Sequence, residues 1–262
     1  MNYALCIGIN NYPGSDMDLS GCVNDARDWA RMFRAREFSV ATLYDNKATH
    51  ASMLKAFKGI VTKAVAGDIV AIQYSGHGTY IKDTSGDEAD GRDECLVPYD
   101  IMTAGPITDD SLYNIFKMKM RGVKIIFISD SCHSGTVLRA FDLGGSKGKK
   151  KFMPPGTFLK GSVAQEEIPV EHVSEDDVAF RDTEGVLLLF AGCQDIQYSM
   201  DANFNGKANG AFTYFALKAL KEMPESATYT QWFKKIRTYL PSSDYDQAPN
   251  LYGAGMRSKI FA

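Results

Sequence analysis

The chain has 262 residues, 45% of them apolar, which is enough for one large α/β domain or two small ones. Its net charge of −3 offers no basic field to draw in nucleic acid, and no apolar stretch approaches the roughly 20 residues needed to span a bilayer. Five cysteines, an odd number without regular spacing, do not make a disulfide scaffold. Met1 leads almost directly into an apolar run without a basic leader, so no signal peptide is expected. A reducing, cytoplasmic compartment is expected, one that would keep thiols free.

In chain order, Tyr3 to Ile9 reads as a strand. Asn24 to Arg36 carries Ala26, Trp29, Ala30 and Phe33 at helical spacing. Val40 to Tyr44 is a short strand. Thr49 is an N-cap for a helix running to about Ala66, closed by Gly67. Asp68 to Tyr74 is a buried strand that ends in Ser75-Gly76-His77-Gly78. Glu94 to Pro98 is a short strand, and Thr108 caps a helix through Met120. Val123 to Asp130 is a second buried strand, ending in Ser131-Cys132-His133-Ser134-Gly135. From Ser134 to Gly185 no periodicity is sustained, and loops of that length are often functional. Gly185 to Cys193 is another buried strand, Ala211 to Leu220 and Thr230 to Leu240 are helical, and Asn250 to Tyr252 is a final strand or edge segment. The alternation implies parallel strands with helices on both faces.

Two of these strands deliver reactive side chains just past their carboxyl ends, where open α/β sheets hold their sites. A thiol attacks as thiolate, and an imidazole can take its proton and return it to a leaving amine. Cys132 and His77 therefore read as a nucleophile and its general base, and the N–H groups of Gly78 and Cys132 as donors to a developing oxyanion. Taken singly, each would be an ordinary loop histidine or buried thiol; the pairing at two glycine- and serine-flanked strand ends favours chemistry. His133 adjoins the cysteine but points away from it in extended or turning backbone, and reads as packing. His50 and His172 read as solvated, and Cys6 and Cys193 as small core residues.

Tyr74-Ser75-Gly76-His77-Gly78 and Asp130-Ser131-Cys132-His133-Ser134-Gly135 resemble the two catalytic signatures of the metacaspases, within the caspase-like cysteine peptidases. Further matches lie at Ala4 to Asn10, Gly21 to Ala26, Arg92 to Asp100, Leu189 to Ala202, Gly210 to Thr213 and Gln247 to Leu251. The resemblance is to a prokaryotic-type member without the interaction prodomain that some relatives carry. It implies a caspase-like three-layer α/β sandwich with a mostly parallel central sheet and helices on both faces. The chain is expected to form a single domain, with a large-subunit-like region at 1–133, a linker loop at 134–185 and a small-subunit-like region at 186–262.

The resemblance further implies a monomeric endopeptidase that acts on proteins or peptides and cuts after Arg or Lys. The family's acidic pocket maps onto Asp25 and Asp130, with Ser75 and Cys22 nearby; a basic side chain needs such a carboxylate opposite it. Alone, Asp25 would read as a first-turn acid favoured by the helix dipole. Many metacaspases need calcium, and the family's site maps onto Asp93, Asp109 and Asp110. The usual fourth carboxylate falls on Arg139, a cation, with Asp142 as a substitute; helix capping is the plain reading of Asp109 and Asp110. Asp201-Ala202-Asn203-Phe204-Asn205-Gly206 starts like an EF-hand loop, but its twelfth position is Phe212 rather than Glu, and it is rejected. The basic run Lys147 to Lys151 reads either as a plain solvated linker or as a self-cleavage site, with Lys160 and Arg181 as further candidates within the loop. Two alternatives stay open: a non-catalytic interaction module of the same fold, and a cysteine peptidase of different side-chain preference.

Overall fold

The computed structural model describes residues 1–83, 91–132, 147–159, 187–194 and 197–262. A six-stranded sheet forms its centre, built from β1 (Tyr3–Gly8), β2 (Ser39–Tyr44), β3 (Ile69–Ser75), β7 (Lys124–Asp130), β9 (Leu187–Ala191) and β12 (Asn250–Gly253), in the order β12-β9-β7-β3-β1-β2. All neighbours are parallel except β12, which runs antiparallel to β9. Every residue of β3 is buried, as expected of a central strand covered on both faces.

Helices cover each face through alternate residues of the strands. One core packs α2 (His50–Lys63) and α4 (Asp109–Phe116) onto Leu5, Ile7, Val70, Ile72, Ile125 and Phe127. The other packs α1 (Cys22–Ala35), α5 (Ala211–Lys221) and α6 (Tyr229–Ile236) onto Ala4, Cys6, Ala71, Ile126 and Ile128, with Trp29 and Trp232 at its centre. Thr49 and Thr108 cap α2 and α4, each accepting an N–H from the serine three residues on. A further short helix, α3, spans Ile101–Ala104.

Several boundaries differ from the periodicity. The helix α4 stops at Phe116 rather than Met120, because beyond Phe116 the chain offers no buried face: Met118 and Met120 are exposed. The helix α2 ends at Lys63, before Gly67. Two small antiparallel sheets lie outside the alternation. One joins β4 (Gly78–Lys82), β5 (Arg92–Leu96) and β6 (Ile107–Thr108). The other joins β11 (Lys207–Gly210), β10 (Met200–Phe204) and β8 (Lys149–Lys150). The segment resembling an EF-hand start is the turn of the β10–β11 hairpin. Asn205 and Gly206 both take positive φ, 54° and 83°, as a two-residue hairpin turn demands. No described helix is long and apolar enough to cross a membrane.

Candidate active site

The parallel register sets the site. Gly8 pairs with Ser75 and Ser75 with Asp130, so β1, β3 and β7 end level with one another. The chain then delivers His77 and Gly78 after β3, Cys132 after β7, and Asp25 from the first turn of α1. All of these side chains are buried; His77 is 1% exposed and Cys132 0%.

The occupant of this edge is a lysine of the chain itself. Lys151 follows the two-residue strand β8 and is 0% exposed. Its ammonium lies 3.1 Å from Asp25 Oδ2 and 3.0 Å from Asp130 Oδ1, and donates to Ser75 Oγ at 2.9 Å. Ser75 Oγ in turn donates to Asp25 Oδ2 at 2.7 Å. A buried lysine needs such company, because an unpaired cation in the interior is prohibitively costly. Burial works against its charge, but the surrounding acidic groups, Asp130 foremost, with Cys22, Asp25 and Asp201, together hold it protonated well above the ordinary lysine range. An ion pair alone would lower Asp25. Its carboxyl is instead raised, since burial comes first and repulsion from Asp130 adds to it, against the pull of Lys151.

Groups far along the chain hold the two carboxylates. Asn209 Nδ2 and the Gly210 N–H donate to Asp25 Oδ1, at 2.9 and 2.8 Å. The Thr213 N–H and hydroxyl donate to Asp130 Oδ2, at 3.0 and 2.7 Å, and the Ser199 hydroxyl donates to Asp130 Oδ1. Gly210 forms part of the pocket wall. A Cβ there would overlap Asp130 Oδ2 and Lys151 Nζ and lie 2.8 Å from Asp25 Oδ2. Cys22 is fully buried at the start of α1, where Lys151, Asp201, Asp25 and Ser75 all act on its thiol, and burial pushes that thiol well above its usual range.

The main chain of Lys151 is bound as closely as its side chain. Its carbonyl accepts the Gly78 N–H at 3.0 Å and the Cys132 N–H at 3.2 Å. Its own N–H donates to Ser199 O at 2.9 Å, and the Met153 N–H donates to Gly78 O at 2.9 Å. The Lys151–Phe152 peptide bond is thus clamped on both sides by Gly78, Cys132 and Ser199. Cys132 Sγ accepts the Ser199 N–H at 2.6 Å and lies 3.6 Å from the Ser199 carbonyl, to which its thiol can donate.

His77 is fixed from three sides. Its N–H donates to Tyr12 Oη at 2.8 Å, its carbonyl accepts from Tyr74 Oη at 2.6 Å, and the Tyr12 ring lies 4.8 Å from its own. Nε2 is 2.6 Å from Met17 O. A carbonyl only accepts, so Nε2 carries the proton and Nδ1 is the basic nitrogen. Burial pushes the imidazole down to about 4. The Met17 bond opposes that shift and the Lys151 charge adds to it, so the ring is neutral at neutral pH.

The residues named for calcium lie elsewhere. Asp93 on β5 and Asp109 at the start of α4 are buried, and Asp110 is half-buried beside it. Among the described residues no group of three or more His, Cys, Asp or Glu side chains gathers to hold a metal. Arg139, Asp142, Lys160 and Arg181 lie outside the described residues, as do His133 and His172.

Sequence reasoning did not single out Ser199, Asn209, Gly210 or Thr213 as pocket residues, nor Tyr12 and Met17 as the holders of His77. Ser199, Gly210 and Thr213 fall within stretches noted for their resemblance; Asn209, Tyr12 and Met17 do not.

The family model described as Caspase domain matches residues 1–261. Metacaspase-1 of Mycosarcoma maydis is 32% identical over 95% of this chain and 69% of its own length. Metacaspase-1A of Neurospora crassa is 30% identical over 95% of this chain, and Metacaspase-1 of Cryptococcus neoformans 32% over the same share. The chain spans 62% and 61% of the length of those two relatives. A crystal structure of a Geobacter sulfurreducens protein, 31% identical, superposes with a TM-score of 0.78 over 100% of this chain and 98% of that one. The chain belongs to the caspase-domain family of cysteine peptidases, as a relative of the metacaspases.

Proposed function

We propose that this chain is a cysteine endopeptidase that cuts after Lys or Arg, with Cys132 as nucleophile and His77 as general base and acid, and that its own Lys151–Phe152 bond is its first substrate. The observation that carries the proposal is the double capture of Lys151. Its ammonium is buried between Asp25 and Asp130, while its carbonyl accepts from the N–H groups of Gly78 and Cys132. A purely structural lysine needs the first arrangement but not the second.

The chemistry follows from these atoms. His77 Nδ1 takes the Cys132 proton, and Sγ attacks the Lys151 carbonyl carbon. Charge develops on the carbonyl oxygen, where two preorganised N–H donors already point; removing one such donor costs on the order of 100-fold in rate. His77 returns the proton to the Phe152 nitrogen, the C–N bond breaks, and a thioester joins Cys132 to Lys151. Water, activated by His77, hydrolyses the thioester. Until that first cut, the chain's own segment fills the place a substrate would take. In trans, the same pocket selects Lys or Arg, because only a cation offsets two buried carboxylates.

Short fluorogenic peptides ending in Arg, Lys or Asp, assayed with and without calcium and with Cys132→Ala as blank, test this reading. Cleavage after Arg and Lys alone, absent in the blank, is expected. Cleavage after Asp, or activity surviving in Cys132→Ala, overturns it. A calcium requirement would assign Asp93, Asp109 and Asp110 a part in activation, and calcium-independent cleavage would remove it.

A further inference from the structure

The neighbours of Lys151 are held as well as Lys151 itself. In an extended chain residues i and i+2 project to the same side, so Lys150 and Phe152 leave the strand opposite to Lys151. Both meet one side chain. Lys150 Nζ sits 4.5 Å from the Tyr198 ring centre, and the Phe152 ring lies 6.0 Å from it, tilted by 49°. Phe152 also stacks on Tyr80, with centroids 6.2 Å apart and planes at 19°. Arg92 covers Tyr80 at 4.5 Å. Lys149, one residue further back, donates to the Asp18 carbonyl at 2.9 Å.

The position of Tyr198 ties it to the chemistry. It directly precedes Ser199, whose N–H meets Cys132 Sγ and whose carbonyl holds the Lys151 N–H. Its ring therefore has a fixed place relative to the bond that breaks, and it touches the side chains on both sides of that bond. Tyr80 belongs to β4, which begins at Gly78, a donor to the Lys151 carbonyl.

Resting on the reading that Lys151–Phe152 lies as a substrate does, we propose that Tyr198 and Tyr80 form an aromatic subsite that reads both flanks of the cleaved bond. It selects a basic residue before the cleaved Lys or Arg and an aromatic residue after it. The substrate class is a dibasic–aromatic segment, cut between its second and third residues. A cation on a ring and an offset aromatic pair each contribute about 0.5–1.5 kcal/mol, which is about twofold to tenfold in kcat/KM at each position.

Four internally quenched peptides test this, with Lys or Ala two residues before the cut and Phe or Ala after it, all with Lys at the cut. They are assayed with chain that has completed self-cleavage. The Lys/Phe peptide is expected to exceed the Ala/Ala peptide by about fourfold to a hundredfold. Tyr198→Phe keeps this ratio and Tyr198→Ala flattens it. In the chain itself, Phe152→Ala and Lys150→Ala each slow self-cleavage, and Phe152→Tyr does not. This second measurement stands even if Tyr198→Ala fails to fold. Equal kcat/KM on all four peptides, with cleavage still dependent on Cys132, overturns the subsite alone. Absence of Cys132-dependent cleavage after Lys in every peptide overturns the underlying reading as well.

Discussion

Gly210→Ala isolates the pocket from the rest of the machinery. Gly210 has φ −66° and ψ 138°, a conformation that alanine adopts without strain, so backbone geometry gives no reason for the change to matter. The added methyl would overlap the Lys151 ammonium and Asp130 Oδ2 and press on Asp25. The lysine must then leave its carboxylates. Separating one partner of a buried ion pair costs about 3–5 kcal/mol, and at 1.36 kcal/mol per decade this slows cleavage about a hundredfold to several thousandfold. Cys132, His77 and the donors to the Lys151 carbonyl are not touched by the methyl. The assay is the time course of conversion of full-length chain into two fragments, alongside kcat/KM on a Lys peptide and a thermal melt to show that the variant is folded. A folded Gly210→Ala protein that cuts itself and the peptide at the wild-type rate would refute the placement of the basic side chain beside Gly210.

Asp25→Asn leaves one carboxylate facing the ammonium and is expected to lower kcat/KM on Lys and Arg peptides at least about tenfold, taking a charge-assisted hydrogen bond at about 1.5–3 kcal/mol; unchanged kinetics would remove Asp25 from the pocket. After the Lys151–Phe152 bond is cut, the two fragments are expected to co-elute in gel filtration, because β9 stays paired with β7 from Ile125↔Leu187 to Ser129↔Ala191; separation without denaturant would contradict that register. Stability should fall with acid through His77. Its pKa is about 4 when folded, against 6.5 for the free side chain, so the unfolded chain binds the extra proton between those values. The contribution is complete above about pH 6.5 and is lost as pH drops towards 4; the difference of 2.5 units corresponds to about 3 kcal/mol. Urea midpoints at pH 7.5 and 4.5 for wild type and His77→Gln measure it, and an equal pH slope in both would show that His77 does not carry the effect.

The residues proposed to carry chemistry stand out in the sequence because they sit in short contiguous segments at the ends of apolar runs: Ser75 to Gly78 at the end of β3, and Asp130 to Cys132 at the end of β7. Strand period and turn residues suffice to put both at one sheet edge. The residues that hold them were not legible. Asn209 and Gly210 reach Asp25 from 184 and 185 positions away, and Thr213 reaches Asp130 from 83. No local pattern marks such pairings. The β10–β11 hairpin did carry its signal, Asn205-Gly206, but the preceding Asp201 and Asn203 drew attention to a metal loop instead. In the structure Asp201 accepts from the Ser20 and Gly21 N–H groups and steadies the start of α1. The run Lys147 to Lys151 reads from sequence as a solvated linker or as a place to cut, without favouring one lysine. Selecting Lys151 within it needed the two-residue pairing of β8 with β10, at Lys149↔Asp201 and Lys150↔Met200, which is too short to leave a period in the sequence.

Cys132 is proposed to act on the Lys151–Phe152 bond. Intact-mass spectrometry of purified chain, incubated beside Cys132→Ala, tests it most directly. The expected result is a pair of fragments ending at Lys151 and beginning at Phe152 in the wild type, and a single intact mass in Cys132→Ala. A wild-type chain that stays whole, or the same cut appearing in Cys132→Ala, would contradict it.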